Sequence, residues 1–158
     1  NTASVGDGGG VVFDSTGPFT MSGGTVSGNT ANSGNGGGVH VSNGFFTMSG
    51  GTEISGNEAI GGNGGGVNVA FSGVFTMSGG TIGGNRAIGG NGGGVHVNTS
   101  STNFTKVGGG TISAPPDSNA NTAGMSGHAV FIIGGNPALI KDVTVGLTDD
   151  FIGGIWIP

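Results

Sequence analysis

The chain has 158 residues, of which 41 are glycine and only 7% are charged, and its formal net charge is −5. That is one domain's length. So little charge excludes charge-driven disorder. Three basic residues (Arg86, Lys106 and Lys141) leave no electrostatic footprint for nucleic acid, and the absence of cysteine excludes disulfides and thiolate chemistry.

In chain order, the first stretch is "NTASVGDGGG", Asn1–Gly10, and its pattern returns as "NTANSGNGGG" over Asn29–Gly38. The tetrapeptide "GGGV" begins at Gly8, Gly36, Gly64 and Gly92, a constant spacing of 28 residues. Glycine at every third position would signal collagen, but "VVFDSTGPFTMS" breaks that period. No apolar run approaches the ~18 residues of a membrane span, so membrane insertion is not expected.

Each unit carries three apolar runs. The first is V-x-V: Val39 and Val41, Val67 and Val69, Val95 and Val97. The second is F-T-M-S: Phe19 and Met21, Phe46 and Met48, Phe75 and Met77. The third is Thr followed by Val26, Ile54 or Ile82, then Gly-Asn and Ala31, Ala59 or Ala87. Alternation with period two marks strands, which turns the apolar members inward and His40, Thr47 and Ser49 outward. Glu53 reads as one extra residue, absorbed at a turn. Glycine at this density would cost a helix ~1 kcal/mol per residue relative to alanine.

Strands this short bury nothing alone, so each repeat forms one coil and equivalent strands stack in parallel at ~4.8 Å. Parallel crossovers are right-handed in about 98% of cases. The pattern predicts an all-β, right-handed parallel β-helix of about five coils, three short strands to each, as a single domain over 1–158. Coils are regular over 1–113. Residues 114–133 form an irregular coil around "APPDS", after which Val130 and Ile132 resume the V-x-V columns, and 134–158 form a divergent last coil. The expected core ladders are Val39, Val67 and Val95; Phe19, Phe46, Phe75 and Phe104; and Met21, Met48 and Met77, with Lys106 replacing Met in the fourth coil. Two asparagine columns, Asn35, Asn63, Asn91 and Asn29, Asn57, Asn85, read as stacked turn amides.

Chemistry is sparse. Two glycosidase carboxylates must converge within ~5–9.5 Å. Of the eight acids only Asp149 and Asp150 adjoin, and strand alternation points them apart. His40 and His96 share an outward column with Asn68 between them. At two coils they stand ~9.6 Å apart, too far to share a metal bound at ~2.1 Å per ligand. "GGNGGGVNV" has Gly66 where a calcium-binding nonapeptide has Asp, and the G-x-G-x-x-G matches lie in no βαβ unit. No enzyme activity, metal or cofactor is expected. The outward pairs Thr20/Ser22, Thr47/Ser49 and Thr76/Ser78 form a hydroxylated face, read either as a polar, hydrogen-bonded strand surface or as an ice-binding one.

The repeat resembles the Gly-rich β-helical repeats of bacterial surface proteins, of the polymorphic-outer-membrane-protein-like and adhesin types. Their GGA-[ILV] motif stands here as "GGGV". Their F-x-x-N motif stands as Val26–Asn29, Ile54–Asn57 and Ile82–Asn85, with aliphatics for Phe. The resemblance covers residues 1–133. It implies the scaffold and an extracellular or cell-surface setting, and no shared active site.

The ends suggest a role. The chain starts in the third-strand region of a coil and finishes on an apolar stretch, with no polar cap visible at either end. A head-to-tail contact between such ends does not close and so generates filaments. The expectation is a structural extracellular subunit that stacks on itself through an axial interface of Val11, Phe13, Phe151, Ile155, Trp156 and Ile157. The alternative is an adhesin fragment that presents Thr99–Asn103 to a glycan or host protein.

Overall fold

Gly-Asn breaks keep every β-forming run of this chain to a few residues, and the 28-residue period returns each run to the same place one coil later. The computed structural model describes residues 1–98, 103–107, 109–113, 118–133 and the backbone of 151–152. Among them are seventeen strands, numbered β1–β17 in chain order, all paired in parallel, and no helix. The fold is a parallel β-solenoid with three sheets.

One sheet runs β1 (Thr2–Ala3), β4 (Thr30–Ala31), β7 (Glu58–Ala59), β11 (Arg86–Ala87), β15 (Thr122–Ala123). A second runs β3 (Thr25–Ser27), β6 (Glu53–Ser55), β10 (Thr81–Gly83), β14 (Thr111–Ile112). The largest begins with β2 (Val11–Met21) and β5 (Val39–Met48). It then divides into β8 (Val67–Val69), β12 (Val95–Val97), β16 (Val130–Ile132) and β17 (Phe151–Ile152) on one side, and β9 (Val74–Met77) and β13 (Phe104–Lys106) on the other. The V-x-V and F-T-M runs therefore share a sheet. The third run is split between the other two sheets by Gly28, Gly56 and Gly84, whose φ angles of 62°, 60° and 66° turn the chain where a side chain would be strained. Glu53 is a regular member of its column, paired with Thr25 and Thr81. The extra residue is taken up just before it, where the buried Thr52 hydroxyl donates to the carbonyls of Met21 and Ser49.

The core is a set of ladders along the axis. Phe19, Phe46, Phe75 and Phe104 stack with centroids 5.2, 4.9 and 5.3 Å apart, and Phe13 joins the first-coil end at 5.5 Å. Offset pairs of this kind add ~0.5–1.5 kcal/mol each beyond their buried area. Val39, Val67, Val95, Met48 and Met77 are fully buried beside them, as is Lys106 in register with Met77. In the first coil Val11, Phe13, Phe19, Met21 and Val26 occupy the same columns only half-buried.

The outward column of the V-x-V strands is not on the surface. His40, Asn68 and His96 are only 3, 2 and 1% exposed. The GGG turn of each coil folds back over them. At Gly36 and Gly64 a Cβ atom would lie 2.5 Å from the carbonyl oxygens of Val39 and Val67, and at Gly37 it would lie 2.5 Å from the Glu58 backbone. Only glycine permits such an approach. Alternation had placed His40 and His96 in solvent; the glycine turns bury them.

Candidate functional site

A candidate face is the outer side of the first of the described coils. Among the described residues β1, β2 and β3 pair on one side only, with β4, β5 and β6. At its centre Val11 and Val26 line a concavity of about 290 Å³ together with Asn1, Gly10, Thr25 and Asn29. Their equivalents one coil later, Val39 and Ile54, are fully buried. A further coil over this face would complete the same burial. The rim is less welcoming. Edge strands are blunted by proline, charge and bulges. β2 carries Pro18, which has no N–H, and Asp14, where the pairing with β5 shifts register.

The asparagine columns end on this face. In the first, the main-chain nitrogen and Nδ2 of Asn1, Asn29, Asn57 and Asn85 donate to Oδ1 of the next member, at 2.9–3.2 Å. The column thus has two members beyond those read from the sequence, Asn1 and Asn121. Asn1 was legible in the 28-residue spacing. Asn121 follows the "APPDS" insertion and stands 36 residues after Asn85. The second column runs the other way: Asn35, Asn63 and Asn91 donate from main-chain nitrogen and Nδ2 to Oδ1 of the preceding member, at 2.6–3.3 Å. Its first acceptor is Asp7. The columns have opposite polarity, so the first-coil face shows the acceptor Asn1 Oδ1 at one and the main-chain N–H of Asp7 at the other, where a carboxylate replaces the amide of Asn35, Asn63 and Asn91.

Behind Asp7 runs a buried polar chain. Asp7 Oδ2 lies 3.6 Å from His40 Nε2. Asn68 Nδ2 donates to His40 Nδ1 at 3.1 Å, and His96 Nδ1 donates to Asn68 Oδ1 at 2.7 Å. The network assigns the tautomers: His40 carries its proton on Nε2 and His96 on Nδ1. His96 Nε2 is left with a lone pair, buried and without a partner. Its ring lies flat on Phe131, centroids 5.6 Å apart. Burial pushes the His96 imidazole down to about 4. Burial also lowers His40, against the opposing pull of Asp7 and Asp14. These are neutral imidazoles sealed from solvent, with no access for a substrate. Among the described residues no three His, Asp or Glu side chains converge as a metal site.

The remaining sequence candidates are scattered. On the T-x-S face Thr20, Ser22 and Ser78 are exposed, Thr47, Ser49, Thr76 and Thr105 are half-buried, and exposed Val107 interrupts the series. Of the Thr99–Asn103 patch only Asn103 is among the described residues, and it is buried, with Nδ2 donating to the Gly73 carbonyl. Phe151 opens β17, whose backbone pairs with β16. Ile155, Trp156 and Ile157 lie outside the described residues, as do Asp149 and Asp150.

At the neighbouring corner the structure adds a feature that the sequence did not flag. Phe71 is 77% exposed with φ of 50°, the one non-glycine residue with positive φ among those described. It stands beside a surface ridge in which Ser72 Oγ donates to Asn43 Oδ1 and Asn43 Nδ2 donates to Asp14 Oδ1.

No protein-family model matches the chain, and comparisons with curated proteins and with solved structures find no match.

Proposed function

We propose that this protein is a structural, non-enzymatic β-solenoid subunit, extracellular or on a bacterial cell surface, that joins head-to-tail into a fibre. One observation carries the reading: each coil covers the Val, Ile and Phe columns of the next through parallel strands in one constant register, so a coil of a second copy can pair as a coil of the same chain does. Burying such side chains contributes ~25 cal/mol per Å² of apolar surface, and unpaired strand edges template the addition of another strand. The low charge supports it too, since little repulsion opposes association. Negative-stain electron microscopy of the concentrated protein should show unbranched fibres about one coil wide. A monodisperse monomer at every accessible concentration would overturn the proposal.

Phe71 favours a second reading, an adhesin-type module that binds a glycan or host protein at the corner of the coils. An aromatic ring held out in solvent on a strained backbone is costly unless something covers it.

A further inference from the structure

We propose that His40, Asn68 and His96 form one buried proton switch. When His40 gains a second proton the Asn68 amide turns over, and His96 moves its own proton from Nδ1 to Nε2. The switch lies inside the coils and is independent of whether subunits join or what the protein binds.

The three side chains stand in register on β5, β8 and β12, where His40 pairs with Asn68 and Asn68 with His96. All three are buried, so water does not compete for their bonds. Asn68 Nδ2 lies 3.1 Å from His40 Nδ1, and Asn68 Oδ1 lies 2.7 Å from His96 Nδ1. An amide has a donor end and an acceptor end, so one of these ring nitrogens must be bare while the other carries hydrogen. That leaves two arrangements. In the first, His40 is protonated on Nε2 and His96 on Nδ1. In the second the amide is reversed, with His40 protonated on Nδ1 and His96 on Nε2. Asp7 selects the first, because its Oδ2 stands 3.6 Å from His40 Nε2 and favours hydrogen there.

A second proton on His40 undoes that choice. Nε2 already carries hydrogen, so the proton goes to Nδ1, which then faces the NH₂ of Asn68, donor against donor. Turning the amide over relieves this contact but sets the NH₂ against His96 Nδ1. His96 must then be bare at Nδ1 and carry its proton on Nε2. One proton enters the chain and none leaves it; His96 exchanges its own through water when the glycine turn above it opens locally. His96 Nε2 has no bond to lose in the move, being buried without a partner. An N–H buried there still lacks an acceptor, which keeps the second arrangement from prevailing before the proton arrives. Charge favours only one end of the chain. Asp7 and Asp14 favour the His40 cation against its burial, whereas burial alone acts on His96. The other titratable groups of neighbouring elements are engaged elsewhere: Glu58 with Arg86, His128 with the Ala123 N–H, and Lys106 in the core column of Met77. On acidification His40 therefore takes the first proton. Its arrival is felt two coils away, ~9.6 Å along the axis, where the His96 ring lies flat on Phe131.

Long-range proton–nitrogen correlation spectra of isotope-labelled histidine rings read which nitrogen carries hydrogen, and the chain has three histidines to assign. Spectra of the folded protein are recorded from neutral pH down to the onset of unfolding. At neutral pH His40 should be protonated on Nε2 and His96 on Nδ1. As His40 becomes a cation, His96 should pass to the Nε2–H form at the same midpoint while staying neutral. Asn68→Asp places an acceptor against both rings, so no reversal is needed. In that variant the His40 midpoint should rise by about 1–3 pH units, and His96 should keep its Nδ1 proton throughout. A His96 unchanged through the His40 titration of the unaltered protein would overturn the switch. So would a His40 that stays neutral until the chain unfolds, or a His96 that still loses its Nδ1 proton in Asn68→Asp. The spectra of the unaltered protein decide the matter even where the variant does not fold.

Discussion

At the scale of single residues the most consequential side chain is His96. Its imidazole is neutral in the fold, with its value lowered from 6.5 to about 4 because burial disfavours the cation. Between those values the unfolded chain takes up a proton that the folded chain refuses. Stability should therefore be insensitive to this group above pH 6.5, decline as the pH falls from 6.5 towards 4, and be lower by about 3 kcal/mol below that. His40 works in the same direction. Urea unfolding at pH 7 and pH 4.5 measures the loss. His96→Asn, whose amide can still donate to Asn68 Oδ1, should flatten that part of the curve, whatever it does to stability at pH 7. An unchanged acid limb in the variant would place the sensitivity elsewhere. The asparagine columns were legible because amide stacking needs the same residue at the same phase of the repeat. The burial of His96 was not. Strand alternation assigns one face to the core and one to solvent, and it carries no term for a turn that folds back over the outer face.

Elements show why that turn is glycine. The three residues of each GGGV turn make separate close approaches: the first to the V-x-V strand of its own coil, the second to a β4-type strand of the next coil, the third to the equivalent turn of the following coil. At Gly65 a Cβ would stand 2.5 Å from the backbone nitrogen of Arg86, in β11. At Gly51 it would meet nothing within 4 Å. Gly65→Ala should therefore cost several kcal/mol, since backbone on both sides must shift, while Gly51→Ala should be neutral or stabilise by ~0.4–1 kcal/mol by restricting the unfolded chain. Thermal melts of the two variants check this, and equal melting temperatures would contradict the packing role of the turn. The strand columns themselves followed from the repeat. Their division into sheets did not, because a Gly-Asn step looks alike on paper whether it bends a strand or ends one sheet and starts another.

Across the whole molecule, stability runs along one axis. Each coil contacts its neighbours, so protection from exchange should depend on how many neighbours a coil has. In the isolated protein, amides of β1, β2 and β3 should exchange faster than those of β5, β6 and β8, because the first coil is hydrogen-bonded on one side only. Contact with a partner then separates the two functional readings. If subunits join at the first coil, exchange at Val11, Phe13 and Val26 should slow on association by at least about tenfold, with β5 and β6 unchanged because they are already enclosed. If the protein instead displays its corner to a ligand, the protected segment should be Ala70–Gly73 around Phe71, and the first coil should stay open. Hydrogen-exchange mass spectrometry on dilute and concentrated protein, and with and without a candidate glycan, reads both places in one experiment. Protection confined to the corner would exclude the head-to-tail joint even if the protein proved to be associated. Protection confined to the first coil would leave Phe71 as a strained ring with no partner, and the fibre as the sufficient account of this fold.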